Sequence, residues 1–212
     1  HPNPEKMFNE KYPFYTGSSN HMKKHFNEYA KWIKKEFLKS NCKLIEIGSN
    51  DGTFLSNFKD SDVKYLGFEP SKNVADEAGK NNIKTINSFF NLKNITNISN
   101  FVGKTDIICA SNVICHIPDL KELILTVDKL LGKNGVFIFE EPYLGSMFEK
   151  TSYDQIYDEH IYMFSITSIK KIFQLYNFEL INVIPQFTHG GSMRYVLSRK
   201  SEKSVNKNVE EG

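Results

Sequence analysis

Four short apolar runs punctuate the middle of the chain: Leu44-Ile45 with Ile47, Tyr65 to Phe68, Ile107 to Ala110, and Val136 to Phe139. None alternates with polar residues as a half-solvated strand does, and none is long enough for a helix, so each predicts a strand buried on both faces. The stretches between them, Thr53 to Phe58, Ser71 to Lys80 and Leu120 to Leu131, predict helices, the last stopped by Gly132. Ahead of the first strand, Met22, Phe26, Tyr29, Trp32, Ile33 and Phe37 recur at three- and four-residue spacing, which predicts an amphipathic helix over His21 to Leu38 with lysines on its other face. Strand alternating with helix implies an α/β fold: a Rossmann-like, doubly wound, mainly parallel seven-stranded sheet with helices on both faces, whose ligands bind beyond the carboxyl ends of the strands. The last third adds a helix from Ser165 to Tyr176. Two strand-like segments follow, Phe178 to Ile184 and Met193 to Ser198, joined by Pro185 to Ser192 and predicted to finish the sheet as an antiparallel pair.

These elements fill residues 21–200 as one domain. Residues 1–20 carry too many aromatics (Tyr12-Pro13-Phe14-Tyr15) for a flexible tail and predict an ordered N-terminal arm, while residues 201–212 form a polar tail. The chain opens without a methionine, and its sequence reads as a piece of a longer protein. Its 40% hydrophobic and 25% charged content is that of a globular protein. A net charge of +2, from 27 basic against 25 acidic side chains, is too small for the basic footprint of a nucleic-acid binder. With no membrane-length apolar stretch and no signal peptide, cytoplasmic location and no membrane partner are expected. Cys42, Cys109 and Cys115 form no CxxC pair and read as buried, reduced thiols, and no metal site is expected. Oligomeric state leaves no trace in the sequence.

Candidate chemistry begins at Glu46-Ile47-Gly48-Ser49-Asn50-Asp51-Gly52, which follows the first strand. Gly48 and Gly52 permit a tight turn and close approach to a ligand, and Asn50 is among the few other residues that tolerate positive φ. Two-glycine turns between strand and helix are common, so the discriminating feature is Glu69. It ends the second strand about twenty residues past the loop, where a carboxylate can accept bonds from both hydroxyls of a ribose. The loop lacks the G-x-G-x-x-G spacing of dinucleotide binders, and its Asp51 would repel a pyrophosphate while tolerating a cationic cofactor. A nicotinamide-dependent oxidoreductase therefore remains only an alternative.

With E-x-G-x-x-x-G, the acid ending the second strand and Asp106 opening the fourth, residues 40–140 resemble the class I methyltransferases. That resemblance implies S-adenosyl-L-methionine as cofactor. Its amino-acid and ribose parts would lie against Glu46, Gly48, Asn50 and Gly52, its ribose on Glu69 beside Pro70, and its adenine near Ser88 and Phe89, with Asn112 completing the set. Ser88-Phe89-Phe90 reads equally well as core.

Three further stretches carry proton-handling side chains: Asn112 to Pro118, Tyr153 to His160, and His189 to Arg194. All follow strands of the sheet and can converge on the cofactor edge. Together with F-N-E-x-Y at Phe8 to Tyr12, the motifs C-H-I-P-D, E-P-Y-L, D-x-I-Y-x-E-H and H-G-G-S-M-R resemble the sugar C-methyltransferase family over nearly the whole chain. Members methylate nucleotide-linked keto-deoxysugars, and their Y-H-E-H motif carries the base that removes a proton beside the ketone. The resemblance implies His160 as that base, with Tyr157, Glu159 and His116 as its catalytic partners, and Tyr12, Tyr15, Tyr143, His189 and Arg194 as contacts to a nucleotide-linked sugar. An imidazole suits the role because its neutral form accepts a proton near physiological pH. Two features depart from the family: Asp158 replaces the first histidine of Y-H-E-H, and its cysteine-rich zinc-binding segment has no counterpart here. Asp158 keeps O-methylation open beside C-methylation, and also a non-catalytic cofactor-binding module of a larger enzyme.

Overall fold

The computed structural model describes residues 3–211. After α1 (Pro4–Met7) and a single helical turn at Thr16–Ser18, the chain forms α2 (Asn20–Phe37), β1 (Lys43–Ile47), β2 (Lys64–Phe68), α3 (Lys72–Lys80) and β3 (Thr85–Ile86). It continues through β4 (Thr105–Ser111), α4 (Leu120–Leu130), β5 (Leu131–Pro142), α5 (Leu144–Lys150), α6 (Ile166–Gln174), β6 (Phe178–Gln186), β7 (Ser192–Arg199) and α7 (Asn208–Glu211). The strands make one seven-stranded sheet of order β3-β2-β1-β4-β5-β7-β6. β1 to β5 pair in parallel, and β7 runs antiparallel between β5 and β6. The expected doubly wound sheet with its antiparallel finish is thus present.

The apolar runs are buried on both faces because successive side chains leave a strand on opposite sides. Leu44, Ile107, Val136 and Ile138 pack against α2 and α3, whereas Ile45, Ile108, Phe137 and Phe139 pack against α4 and α6. Helix starts are fixed by side chains: Ser19 caps α2 through Met22 N–H, and Asp119 caps α4 through Glu122 N–H.

Three expectations change in detail. Thr53 to Phe58 is not a regular helix; only Leu55–Phe58 makes a 3-10 turn. There the Asp51 carboxylate takes Thr53 N–H and Oγ1–H, and the Asn57 amide takes the Thr53 and Phe54 carbonyls, so side chains replace the helical ladder. Gly132 caps no helix: α4 ends at Leu130 and the chain enters β5 at once, where Leu131 pairs with Thr105. The polar residues 201–212 include α7, whose Val209 is buried in the core, while Asn206 N–H donates to Ile181 C=O at 2.7 Å. No helix among the described residues is long and apolar enough to cross a membrane.

Order β3-β2-β1-β4-β5 makes the sheet reverse its winding direction between β1 and β4, and a crevice opens there beyond the strand ends.

Candidate active site

The crevice is a cleft of about 450 Å³ whose floor includes the last residues of four strands: Ile47 of β1, Phe68 of β2, Ser111 of β4 and Pro142 of β5. At one end stands the glycine loop. Gly48 adopts φ +66°, and a Cβ added there would sit 2.4 Å from Cγ2 of Val113, so both backbone strain and a clash oppose any side chain. Gly48→Ala is expected to weaken cofactor affinity by at least tenfold in calorimetry, because the loop can escape Val113 only by moving toward the ligand. An unchanged affinity would show that the loop is not the ligand's cradle.

Asn50 does take positive φ, at +49°. Its backbone N–H donates to Glu69 Oε2 at 3.0 Å, and Ser71 N–H donates to Glu69 Oε1 at 2.7 Å. The acid ending β2 is thereby held rigidly over the cleft with further lone pairs to offer. Burial raises the pKa of Glu69, against the pull of these two donors. Glu46 lies behind the loop in a small adjoining space with Ser49, Thr53 and Ser111. Its Oε2 is buried without a hydrogen-bond partner, and burial, with Asp51 and Glu69 nearby, drives its pKa well above the carboxylate range.

These features fit S-adenosylmethionine. The glycine loop leaves room for backbone contact, and a fixed carboxyl, Glu69, lines the cleft where it can accept from a ribose. Pro70, Phe89 and Asn112 also line the cleft. Asn112 turns through φ +55° and keeps a buried, unpartnered Oδ1. Ser88 does not line it, and neither does Gly52, whose φ of +79° instead lets the turn pack on Ile83.

The N-terminal arm roofs this end through contacts that sequence reasoning missed. Asn50 Oδ1 accepts Thr16 N–H at 2.8 Å, Asp51 Oδ2 accepts Gly17 N–H at 2.7 Å, and Asn50 Nδ2 donates to Phe14 C=O. The polar side chains of the loop thus grip the arm, and its backbone is left for a ligand. Asn73 holds Tyr12 C=O and the Tyr15 hydroxyl, each at 2.8 Å. Tyr12, Phe8 and Phe14 line the cleft from the arm, whereas Tyr15 does not.

The lining also includes His116, Tyr157, Glu159, His160 and His189. His116 Nδ1 lies 2.8 Å from Glu159 C=O, and His160 Nδ1 lies 2.8 Å from Gln155 C=O. A carbonyl can only accept, so each Nδ1 carries a proton. The two rings are 5.0 Å apart, and Tyr157 packs 4.2 Å from His160. Burial lowers the pKa of His160, with His116 and His189 adding to the effect, so the ring is neutral at physiological pH. The Tyr157 hydroxyl is pushed the other way by desolvation and by Glu159, and stays protonated. Cys115, His116 and His160 bring one sulfur and two nitrogens within 4.8 Å, although burial and Glu141 strongly oppose ionisation of the thiol. Asp158 is exposed and does not line the cleft.

Besides Tyr15, two residues expected at the acceptor lie elsewhere. Arg194 is 5% exposed and does not line the cleft. Its Nε and Nη2 bond Glu140 Oε1 at 2.7 and 2.6 Å, and its guanidinium lies over Tyr29 and Trp32. His25 completes the network on Glu140 Oε2 at 2.6 Å. Burial would raise the Glu140 pKa, but His25 and Arg194 together hold it below the usual value. Arg194 is therefore committed to a buried carboxylate. Tyr143 packs at the start of α5 against the core. The adjacent acids Glu140 and Glu141 were the available sequence signal, because carboxylates ending a fully buried strand require partners.

A seven-stranded sheet of this order, with a glycine loop beyond β1 and an acid ending β2, defines a class I S-adenosylmethionine-dependent methyltransferase. Comparison with known proteins agrees: a family model described as a methyltransferase domain matches residues 21–183, and the chain belongs to that family. Over 150 residues it is 29% identical to the C-methyltransferase NovU of Streptomyces niveus, an alignment covering 71% of this chain and 36% of that protein. The chain thus spans little more than a third of this relative's length. Among solved structures, a S-adenosylmethionine-dependent methyltransferase from Clostridium acetobutylicum superposes with a TM-score of 0.65 at 14% identity, covering 87% of this chain and 94% of that one. The magnesium protoporphyrin IX methyltransferase of Synechocystis with bound S-adenosylhomocysteine gives 0.62 at 14% identity, covering 84% and 83%. The domain is a methyltransferase with S-adenosylmethionine as cofactor, which sets aside the nicotinamide oxidoreductase.

Proposed function

We propose that the domain methylates carbon next to the ketone of a nucleotide-linked sugar, with His160 as the base. The observation that carries this reading is the His160 ring. It is neutral, fixed by Gln155 C=O through Nδ1, and lines the same cleft as the glycine loop and Glu69. A base is what carbon methylation needs and what a ready-made nucleophile does without. The sugar motifs of the sequence and the likeness to a C-methyltransferase support the acceptor class.

S-adenosylmethionine, when bound, supplies an electrophilic methyl on a sulfonium and departs as a neutral thioether. The chain's own residues do the rest. His160 Nε2 takes the proton from the carbon beside the ketone, and the negative charge passes to the ketone oxygen. With its Nδ1–H given to Glu159 C=O, His116 can donate to that oxygen only if Nε2 also carries a proton. The Tyr12 and Tyr157 hydroxyls, whose pKa values burial raises, both line the cleft and are ready donors. Glu159 holds His116 through its carbonyl and lines the cleft with its neighbours.

The test is deuterium exchange. A panel of nucleotide-linked ketosugars is incubated in D₂O with the domain and no methyl donor. Exchange at the carbon beside the ketone, absent with His160→Ala, supports carbon methylation. Methyl transfer without such exchange would assign the reaction to oxygen and overturn this reading.

A further inference from the structure

Glu141 lies beneath the cleft and is not among its lining residues. It is the penultimate residue of β5, with no solvent exposure. Its Oε1 accepts two backbone donors at once, Val113 N–H at 3.0 Å and Ile114 N–H at 2.6 Å. Those donors begin the helical turn Ile114–His116, directly after Asn112 has passed through positive φ. The loop is further tied to β5 by Asn112 N–H donating to Glu140 C=O.

From that turn, three bonds lead to the segment carrying His160. Cys115 C=O accepts Ile161 N–H at 2.9 Å and Tyr162 N–H at 3.3 Å, and His116 Nδ1 donates to Glu159 C=O. Residues 159–162 are thereby coupled to the turn, alongside the Gln155 C=O that holds the His160 ring and the Pro118 C=O that takes the Tyr162 hydroxyl. A pair of N–H groups in the core needs an acceptor, and a neutral carbonyl or amide oxygen would meet that need without a buried acid. A carboxylate holds two N–H groups more firmly than any neutral acceptor.

We propose that Glu141 is a positioning residue for the reaction. Through the Val113–Ile114 amides it fixes the turn that sets the His116 ring and, by way of the Cys115 carbonyl, the His160 ring against the acceptor. This rests on His160 being the base.

Burial pushes the Glu141 carboxyl up to about 7, against the Val113 and Ile114 donors and the adjacent Cys115 thiol. The other titratable groups that face it are Tyr157 beside the cleft and Tyr195 of β7, both with raised pKa values, together with the Cys115 thiol. All three are neutral across physiological pH, so among these groups Glu141 is the one that changes charge near neutrality. As pH falls through about 7, its grip on the two amides changes from charge-assisted to neutral. Turnover should carry a limb near pH 7, separate from the limb of His160, whose pKa lies below the usual imidazole value.

The experiment compares wild type, Glu141→Gln and Glu141→Ala. Glutamine keeps the size and one acceptor oxygen, so Glu141→Gln should fold and bind S-adenosylmethionine within about twofold of wild type. It should slow deuterium exchange into the ketosugar at pH 8 by at least fivefold and abolish the limb near pH 7. Glu141→Ala should slow exchange further, with sugar KM changed less than kcat. Imidazole proton spectra give a second readout that needs no substrate. The hydrogen-bonded Nδ1–H signals of His116 and His160, sharp in wild type, should broaden or disappear in Glu141→Ala and persist in Glu141→Gln. If wild type shows no exchange, the base assignment fails, and the imidazole spectra still decide whether Glu141 positions the rings. Unchanged spectra in Glu141→Ala, or equal exchange in wild type and Glu141→Gln, overturn the proposal. So does a Glu141→Gln variant that loses cofactor binding and exchange together, since that pattern marks a purely structural acid.

Discussion

His160→Ala is expected to lower turnover by a factor of about 10² to 10⁴ while leaving S-adenosylmethionine affinity within about twofold of wild type. The magnitude is that of a positioned general base removed from a proton transfer, and it is the largest effect any single substitution in the cleft should have. Affinity is spared because the contacts of His160, to Tyr157, His116 and Gln155 C=O, involve neither the glycine loop nor Glu69 nor Phe89. The pH dependence follows from the sign of the shift. Burial lowers the His160 pKa, so the neutral, competent ring persists to more acidic pH than an exposed imidazole would allow, and activity should be lost only as pH falls through that lowered value. His160→Ala should remove this acidic limb along with the activity. Full turnover in the variant would exclude His160 as base and turn attention to His116, whose Nε2 is also left free by its bond to Glu159 C=O.

The sheet was legible because its strands obey a rule that acts locally. A strand covered on both faces carries few polar side chains on either, so Leu44-Ile45 with Ile47, and Ile107 to Ala110, stand out as short apolar runs without knowledge of their neighbours. The boundary errors came where side-chain bonding overrides propensity. Asp51 and Asn57 absorb the backbone groups of Thr53 and Phe54, and no periodicity reveals that. Gly132 has the composition of a helix stop, but tertiary pairing with Thr105 draws the chain straight into β5.

In the cleft, residues whose role depends on the backbone were read best. Positive φ at Gly48 and Asn50 follows from what those residues tolerate. Partner choice was harder to read. Arg194 resembled an acceptor contact in its motif, but the buried Glu140 beside it in the sheet claims the guanidinium first, since neither charge survives burial alone. Tyr15 was likewise expected at the acceptor and is held by Asn73, 58 residues away in sequence.

Glu69→Ala is expected to weaken S-adenosylmethionine binding by about 1 to 3 kcal/mol, roughly tenfold to a hundredfold, the usual loss when hydrogen bonds to a charged acceptor disappear. Two losses combine in it. The ribose acceptor goes, and so does the acceptor for Asn50 N–H and Ser71 N–H, which currently brace the glycine loop against β2 and the start of α3. Glu69→Gln separates them, because an amide oxygen can still hold one of the two donors and keep the loop near its place. If the loop dominates, Glu69→Gln should recover most of the affinity; if the ribose contact dominates, it should recover little. The pH dependence distinguishes the cases again. Burial raises the Glu69 pKa, so wild-type affinity should begin to fall on acidification above the ordinary carboxylate range, as the carboxyl gains a proton and loses acceptor strength. Glu69→Gln has no such group and should bind with no acidic loss from this position. Calorimetric titration of the three proteins from neutral pH downward reads both effects. Equal affinity of wild type and Glu69→Ala at neutral pH would mean that the acid ending β2 braces the loop without touching the cofactor, and that the ribose is held by other residues of the cleft.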